Sequence, residues 1–338
     1  HDALPICLDR DGFQPVMACP LDLRDALTAA VPGAAIHPLT IKGELDPPGD
    51  LRAAAAIARL ARDEGVAVVH AQGLKAGLLC LWAAVSRPSP YSVICTFHNS
   101  LRRQAGGVFD QASRLLAAMV GKFVDHLVTV SGDLETEAIG LLHLAPEKIT
   151  CIHNGIDPTP FENAAPAEGF REGLGIPSSA LLVGTAARLI PQKGVAYLIR
   201  AASLLREDFP GLYFVVAGDG PCRGQLEAEV AAAGLGERFL FAGFRHDMPG
   251  VLAACDLFAL PTLEEGCSIT VLEAMSAGRP LVATTVNGMR ELVTAEAGRL
   301  VPPGDPVALA GALHDLLALR PRWRRSEEHT SELQSRHN

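Results

Sequence analysis

Leu263-Glu264-Glu265-Gly266-Cys267-Ser268-Ile269-Thr270-Val271-Leu272-Glu273-Ala274-Met275 reads as a strand end, a short glycine-containing loop and the start of a helix. The apolar run Leu257-Phe258-Ala259-Leu260 precedes it, and Gly278 stops the helix. Glu265 and Glu273 bracket the helix start at a spacing of eight. A helix start presents free backbone N–H groups and the positive end of its dipole, which suits a phosphate. Carboxylates beside it accept hydrogen bonds from hydroxyl groups. A site combining the two suits a sugar joined to a phosphate. Glutamate is common on helices, so Glu273 carries weight only together with Gly266, Ser268 and the preceding Pro261. Glu264 is read as a solvated neighbour.

Working outward, the second half alternates short apolar runs with segments of helical spacing. Strands are predicted over 181–186, 212–217, 239–242, 257–260 and 280–284. Helices are predicted over 195–205, 222–233, 248–254, 269–276 and 306–319. Continuous apolar strands alternating with helices mean a parallel sheet covered on both faces. Ligands of such sheets bind beyond the carboxyl ends of the strands. The loops after Ala187, Ala217 and Pro261 are therefore expected to converge.

The first half follows the same rule less cleanly. Its candidate strands are 14–18, 34–38, 66–70, 91–97, 126–130 and 149–153, and its candidate helices 50–64, 74–85, 109–124 and 132–142. Asn163 to Gly175, rich in Ala, Pro, Glu and Gly, reads as an inter-domain linker.

A chain of 338 residues is long enough for two domains with cores of their own. Its formal charge of −9 argues against an extended nucleic-acid surface. The longest apolar run, 76–85, is too short to span a bilayer. None of the eight cysteines forms a Cys-x-x-Cys pair, and they read as small buried hydrophobes of a reducing compartment. Gly218-Asp219-Gly220 resembles a dinucleotide fingerprint, but the third glycine, Gly224, comes one residue late, so NAD is rejected. The polar end from Arg325 differs from the Ala/Leu-rich sequence before it and resembles a translated sequencing adapter.

Three motifs occur in order. Glu265-x7-Glu273 followed by Ala274-Met275, behind the strand Asp256 to Thr262, resembles the signature of the family 4 retaining glycosyltransferases, which have the α/β fold called GT-B. Arg188-Leu189-Ile190-Pro191-Gln192-Lys193-Gly194 and Ile152-His153-Asn154-Gly155-Ile156-Asp157 extend that resemblance over most of the chain. It implies two Rossmann-like domains with parallel sheets facing a central cleft. Residues 1–160 would be the acceptor-side domain, with a truncated start, and 161–324 the nucleotide-sugar-binding domain, ahead of a non-native tail over 325–338. The family has an earlier strand and glycine-rich loop and a final bracing helix. Neither is read here, so a fragment that binds donor weakly and transfers nothing stays open beside the transferase reading. The implied reaction moves a sugar from a nucleoside diphosphate sugar to a hydroxyl of a glycan, lipid-linked or small-molecule acceptor. The implied setting is cytoplasmic cell-envelope or polysaccharide synthesis, at the inner face of the membrane. Two alternatives stay open: a nucleotide-sugar epimerase on the same fold, and a non-catalytic nucleotide-sugar-binding fragment.

The resemblance also implies roles. Glu273 would bind the ribose and Glu265 the transferred sugar. Arg188 and Lys193 would hold the diphosphate, one through a planar fork and the other as a point charge. Two cations beside a helix start oppose its dipole and need a compensating reason, which an anionic ligand supplies. His98, in Cys95-Thr96-Phe97-His98-Asn99-Ser100, would face the donor sugar. His70 is a weaker candidate on the acceptor side. Gly218, Arg245, Gly266, Cys267 and Ser268 complete the nucleotide-binding set. Asn154-Gly155 is turn chemistry. Asp9-Arg10-Asp11 has the form of a metal-binding Asp-x-Asp but reads as a solvated turn. No catalytic metal is expected, because the two cations and the helix start supply the positive charge. Leu101 to Lys122, with Arg102, Arg103 and Arg114, reads as a core-packed helix with a wet basic face, and contact with an acidic membrane is its second reading.

Overall fold

A computed structural model of the chain describes residues 12, 14–31, 33–42, 46–85, 91–100 and 108–319. Cys7, Asp9 to Asp11, Arg102, Arg103 and the tail over 325–338 lie outside them, as does the side chain of Arg114. The chain divides into two units between Gly155 and Ile156, rather than after residue 160.

The first unit holds two all-parallel sheets. Strands β1 (Val16–Pro20) and β2 (Ala35–Leu39) form a pair. Strands β3 (Val68–Gln72), β4 (Ser92–Phe97), β5 (His126–Thr129) and β6 (Ile149–Cys151) follow one another in spatial order. Helices α1 (Arg24–Ala30), α2 (Pro47–Asp63), α3 (Leu74–Val85), α4 (Val108–Phe123) and α5 (Gly132–Leu142) provide the crossovers. Their starts have local causes. The Asp46 carboxylate accepts from Gly49 N–H ahead of Pro47, and the Ser131 hydroxyl accepts from Leu134 N–H. Strand β3 begins two residues later than its apolar run suggests, so His70 lies within it and not at its end.

The second unit is one six-stranded parallel sheet: β7 (Leu181–Ala186), β8 (Leu212–Ala217), β9 (Phe239–Gly243), β10 (Leu257–Leu260), β11 (Leu281–Thr284) and β12 (Gly298–Val301). Its helices are α6 (Phe170–Gly173), α7 (Val195–Leu205), α8 (Arg223–Ala232), α9 (Met248–Ala254), α10 (Ile269–Ser276), α11 (Met289–Leu292) and α12 (Pro306–Ala318). The spatial order is β12-β11-β10-β7-β8-β9. The chain runs outward from β7 through β9, then returns to the other edge of β7 with β10. The reversal lies between β7 and β10, and in sheets of this kind ligands bind in a crevice beyond the carboxyl ends of the strands at such a point. Each face carries its own core. Val183, Phe214 and Val216 pack with α7 and α12 on one side, and Leu182, Val215 and Phe258 pack with α9 and α10 on the other. Alternate residues of β7 and β8 thus enter opposite cores, which is why these strands read as unbroken apolar runs.

The segment over 163–175 is not a linker throughout. Phe170 is 5% exposed and joins the core containing Leu252 and Phe258. The Arg171 guanidinium donates to the Ala254 carbonyl at 2.7 Å and the Ala180 carbonyl at 2.8 Å, and pairs with Asp256 at 3.2 Å. A buried phenyl ring and a fully used guanidinium override the loop-like composition. Phe170→Ala is expected to lower the unfolding free energy of the second unit by about 3–5 kcal/mol. Urea denaturation measures it, against about 0.5 kcal/mol or less for an unburied position.

Candidate active site

The switch-point crevice is built by backbone contact between the loops after β7, β8 and β10. Leu189 N–H donates to the Asp219 carbonyl at 2.9 Å, and Cys222 N–H to the Leu189 carbonyl at 3.0 Å. Leu263 N–H donates to the Gln192 carbonyl at 2.7 Å. The Thr262 hydroxyl, fully buried, lies 3.0 Å from that carbonyl and 2.8 Å from the Glu264 carbonyl. The Thr284 hydroxyl donates to the Thr262 carbonyl at 2.5 Å. The three loops expected to converge therefore do so. Glycine permits the approach at two points. A side chain on Gly218 would collide with the Ala187 carbonyl, and one on Gly194 (φ +66°) with the Pro261 carbonyl.

This stitching brings Lys193 to Glu265. Lys193, in the turn Pro191–Lys193, places Nζ 2.7 Å from Oε2 of Glu265. The carboxylate side chain is 11% exposed and the ammonium 23%. An ammonium has three donors, so one bond to Glu265 leaves others to address a phosphate, and the carboxylate keeps acceptor capacity for a sugar hydroxyl. Gly266, Cys267 and Ser268 are buried and lead directly into α10. Ser268 is the N-cap residue, but its hydroxyl pairs with Thr270 at 3.1 Å instead of capping, so no side chain closes the helix mouth.

Glu273 lies on α10, half-buried, and its carboxylate makes no hydrogen bond or ion pair to a described residue. Burial pushes its carboxyl above the ordinary glutamate value. Arg188 stands on the loop after β7 with an exposed side chain that likewise bonds no described residue. Glu264 is half-buried rather than solvated. Gly218 is explained by the backbone approach just described, without a ligand. Arg245 follows β9, an edge strand of the sheet, two residues after Gly243, whose carbonyl accepts from Gly218 N–H at 2.7 Å. Its guanidinium is held by both Asp247 oxygens, at 2.8 and 2.6 Å, and lies over the Phe170 ring at 5.3 Å.

In the first unit, His98 follows β4, and its Nε2 lies 2.6 Å from Oε1 of Gln72. Gln72 Nε2 is 3.3 Å from His70 Nε2, which is 2.7 Å from the Thr96 hydroxyl. Burial lowers both imidazole pKa values, and His70 adds to the effect on His98. Sequence reading missed Gln72, Gln192, Thr262 and Thr284. Of these only Gln72 left a signal, a polar residue two places after His70 and so on the same face of the strand.

Among the described residues the cysteines are free thiols. Cys80, Cys95 and Cys255 are buried, and burial pushes each up to about 12. Helix α4 departs from the core-packed basic reading. Ala117 and Val120 are buried, but Leu115, Met119 and Phe123 are 69%, 46% and 60% exposed. No helix among the described residues is long and apolar enough to cross a membrane.

The sign of the Glu273 effect follows from its raised pKa. The folded state favours the protonated form, so this contribution is fully present below the ordinary value of 4.5 and is lost as pH rises through the folded value. At neutral pH the ionised group destabilises the fold. Glu273→Gln is therefore expected to raise the melting temperature at pH 7, and calorimetry should show the gain shrinking as pH falls through the raised folded value and gone below the ordinary one.

The chain is similar to known glycosyltransferases along most of its length. The model "Glycosyltransferase Family 4" matches residues 6–159 and "Glycosyl transferases group 1" matches residues 180–319. The UDP-Gal:alpha-D-GlcNAc-diphosphoundecaprenol alpha-1,3-galactosyltransferase of Escherichia coli is 30% identical over 73% of this chain and 65% of its own length. The 2-deoxystreptamine glucosyltransferase of Streptomyces kanamyceticus is 29% identical over 70% of this chain and 65% of its own. The chain thus spans just under two thirds of these relatives. Among solved structures, Anabaena HepE in complex with UDP and glucose superposes with a TM-score of 0.73 at 24% identity, over 87% of this chain and 79% of that one. The fold is that of the GT-B glycosyltransferases, and with one family model seated on each unit, the chain belongs to the family 4, group 1 glycosyltransferases.

Proposed function

We propose that the protein transfers a sugar from a nucleoside diphosphate sugar to an acceptor hydroxyl with retention of anomeric configuration. The carrying observation is the 2.7 Å Lys193–Glu265 pair set beside an uncapped helix mouth at the strand-order switch point. Arg188, Lys193 and the amides of Gly266 to Ser268 hold the diphosphate, and no metal is needed to balance its charge. Glu265 accepts from the sugar and Glu273 from the ribose. His98 is the first unit's contribution to the reaction. The bond from the anomeric carbon to the diphosphate oxygen breaks while the acceptor oxygen bonds the same carbon on the same face. The acceptor proton passes to the departing phosphate, which leaves as the nucleoside diphosphate. Support for a glycan or lipid-linked acceptor comes from the activity for which the Escherichia coli relative is named. The Streptomyces kanamyceticus relative, named for 2-deoxystreptamine, supports a small-molecule one.

A thermal-shift panel of nucleotide sugars, followed by transfer and donor-hydrolysis assays, tests this reading. A true donor at a hundred times its Kd stabilises by about 2.7 kcal/mol. Arg188→Ala is the cleanest variant because its side chain holds nothing in the fold. It is expected to lower kcat by about a hundred- to a thousand-fold with the melting temperature unchanged. Full activity would remove Arg188 from the site.

Peripheral contact with an anionic membrane from the cytoplasmic side belongs to the same proposal. It is supported by Leu115, Met119 and Phe123 at helical spacing on α4 beside exposed Lys122, whose ammonium lies 5.9 Å from the Phe123 ring. Cosedimentation with phosphatidylglycerol vesicles is expected for the protein and lost in a Leu115→Ser, Phe123→Ser variant.

A further inference from the structure

We propose that Gln72 is a positioning residue that sets the tautomer and ring orientation of His98, so that the neutral imidazole carries its proton on Nε2 and turns an Nδ1 lone pair to the substrate. The inference rests on the reading of His98 as a group of the transfer reaction. It comes from the polarity of a primary amide, which has one accepting end and one donating end.

Strand β3 presents His70 and Gln72 on one face, two residues apart, and β4 runs beside it in register, with Gln72 opposite Thr96. Thr96 is 2% exposed. Its hydroxyl lies 2.7 Å from Nε2 of His70, and the Gln72 amide nitrogen lies 3.3 Å from the same atom. An amide nitrogen can only donate, so Nε2 of His70 is the accepting nitrogen and its proton sits on Nδ1. With its donor end used there, Gln72 turns its oxygen to His98 at 2.6 Å. An oxygen can only accept, so Nε2 of His98 must carry a proton. With the Gln72 amide in this orientation, donation runs from Thr96 to His70, from Gln72 to His70 and from His98 to Gln72. Nδ1 of His98 bonds no described residue.

Chemically, this makes neutral His98 an acceptor toward a substrate hydroxyl. It becomes a donor at Nδ1 only when a second proton arrives. His98 is half-buried and His70 more exposed, and desolvation disfavours the charged form of both rings. The hydrogen-bond polarity set by Gln72 therefore selects which service the ring performs. A second neutral imidazole, His70, secures the amide and need not touch the substrate.

The test is the long-range proton–nitrogen NMR spectrum of the full chain labelled with nitrogen-15 in histidine, with His98→Ala and His70→Ala spectra for assignment. The expected result is a neutral His98 protonated on Nε2 and a His70 protonated on Nδ1. Gln72→Leu, which offers no polar atom, is expected to mix the His98 tautomers. Gln72→Glu keeps an accepting oxygen at the same place and is expected to preserve the Nε2–H form, which guards against a folding artefact in the leucine variant. With UDP-glucose as donor probe, Gln72→Leu is expected to lower kcat between about ten- and a hundred-fold, the range a misplaced reacting group brings, with KM for donor little changed. Gln72→Glu should restore part of the loss. A His98 protonated on Nδ1, or a tautomer unmoved by Gln72→Leu, overturns the proposal. So does full transfer by Gln72→Leu where His98→Ala is inactive. If His98→Ala itself transfers at the wild-type rate, the assignment of His98 to the reaction falls with it, and the NMR result separates that failure from a failure of Gln72 to control the ring.

Discussion

The second unit depends on one close approach, that of the loop after β7 to the loop after β10. Two main chains meet there with no side chain between them, because Gly194 faces the Pro261 carbonyl and Leu263 bonds the Gln192 carbonyl. Lys193 and Glu265 are the flanking residues of this seam, so their pairing follows from backbone geometry more than from mutual attraction. A largely buried ion pair contributes little to stability once desolvation is counted. What the seam secures is position: two opposite charges and a helix mouth held within reach of a single ligand.

The candidate groups are electrostatically uneasy in the free protein. Glu273 is burdened by burial, the mouth of α10 lacks a side-chain cap, and Lys193 and Glu265 satisfy one another only in part. In the first unit, His70 and His98 are both held toward neutrality. Each imbalance has a sign that a particular ligand group would relieve: hydroxyls for the carboxylates, phosphate for the amides and cations. Such residual strain is expected where binding, rather than folding, has shaped the residues.

How much of this was legible in the sequence depended on distance along the chain. Strands 181–186, 212–217 and 257–260 and helices 195–205, 248–254 and 269–276 have the bounds their apolar patterns predict, because both faces of that sheet are covered. Strand β12 escaped notice. It is four residues long, starts at Gly298 and carries Arg299, so it resembles a turn. Only its neighbour shows why glycine is there, since a side chain would meet the Leu281 carbonyl. The integration of Phe170 was missed for the same reason, being decided by partners remote in sequence; helix α1 was missed although it packs on the strand that follows it. Glu265, Glu273, Arg188 and Lys193 were legible as motif residues. The Thr262 hydroxyl that ties their loops together was not, because its partner Gln192 lies 70 residues away.

The strand order has a consequence for synthesis on the ribosome. Strand β7 can pair with β8 soon after both emerge, but its other edge must wait for β10, where Val183 meets Leu257 and Gly184 meets Phe258. Until then one side of the central strand of this sheet stands open, an invitation to mispairing that nascent-chain chaperones are suited to shield. The pocket residues are therefore drawn together among the last events of the unit's folding, so a stalled or shortened translation product would retain the β7–β9 half of the sheet without a working crevice.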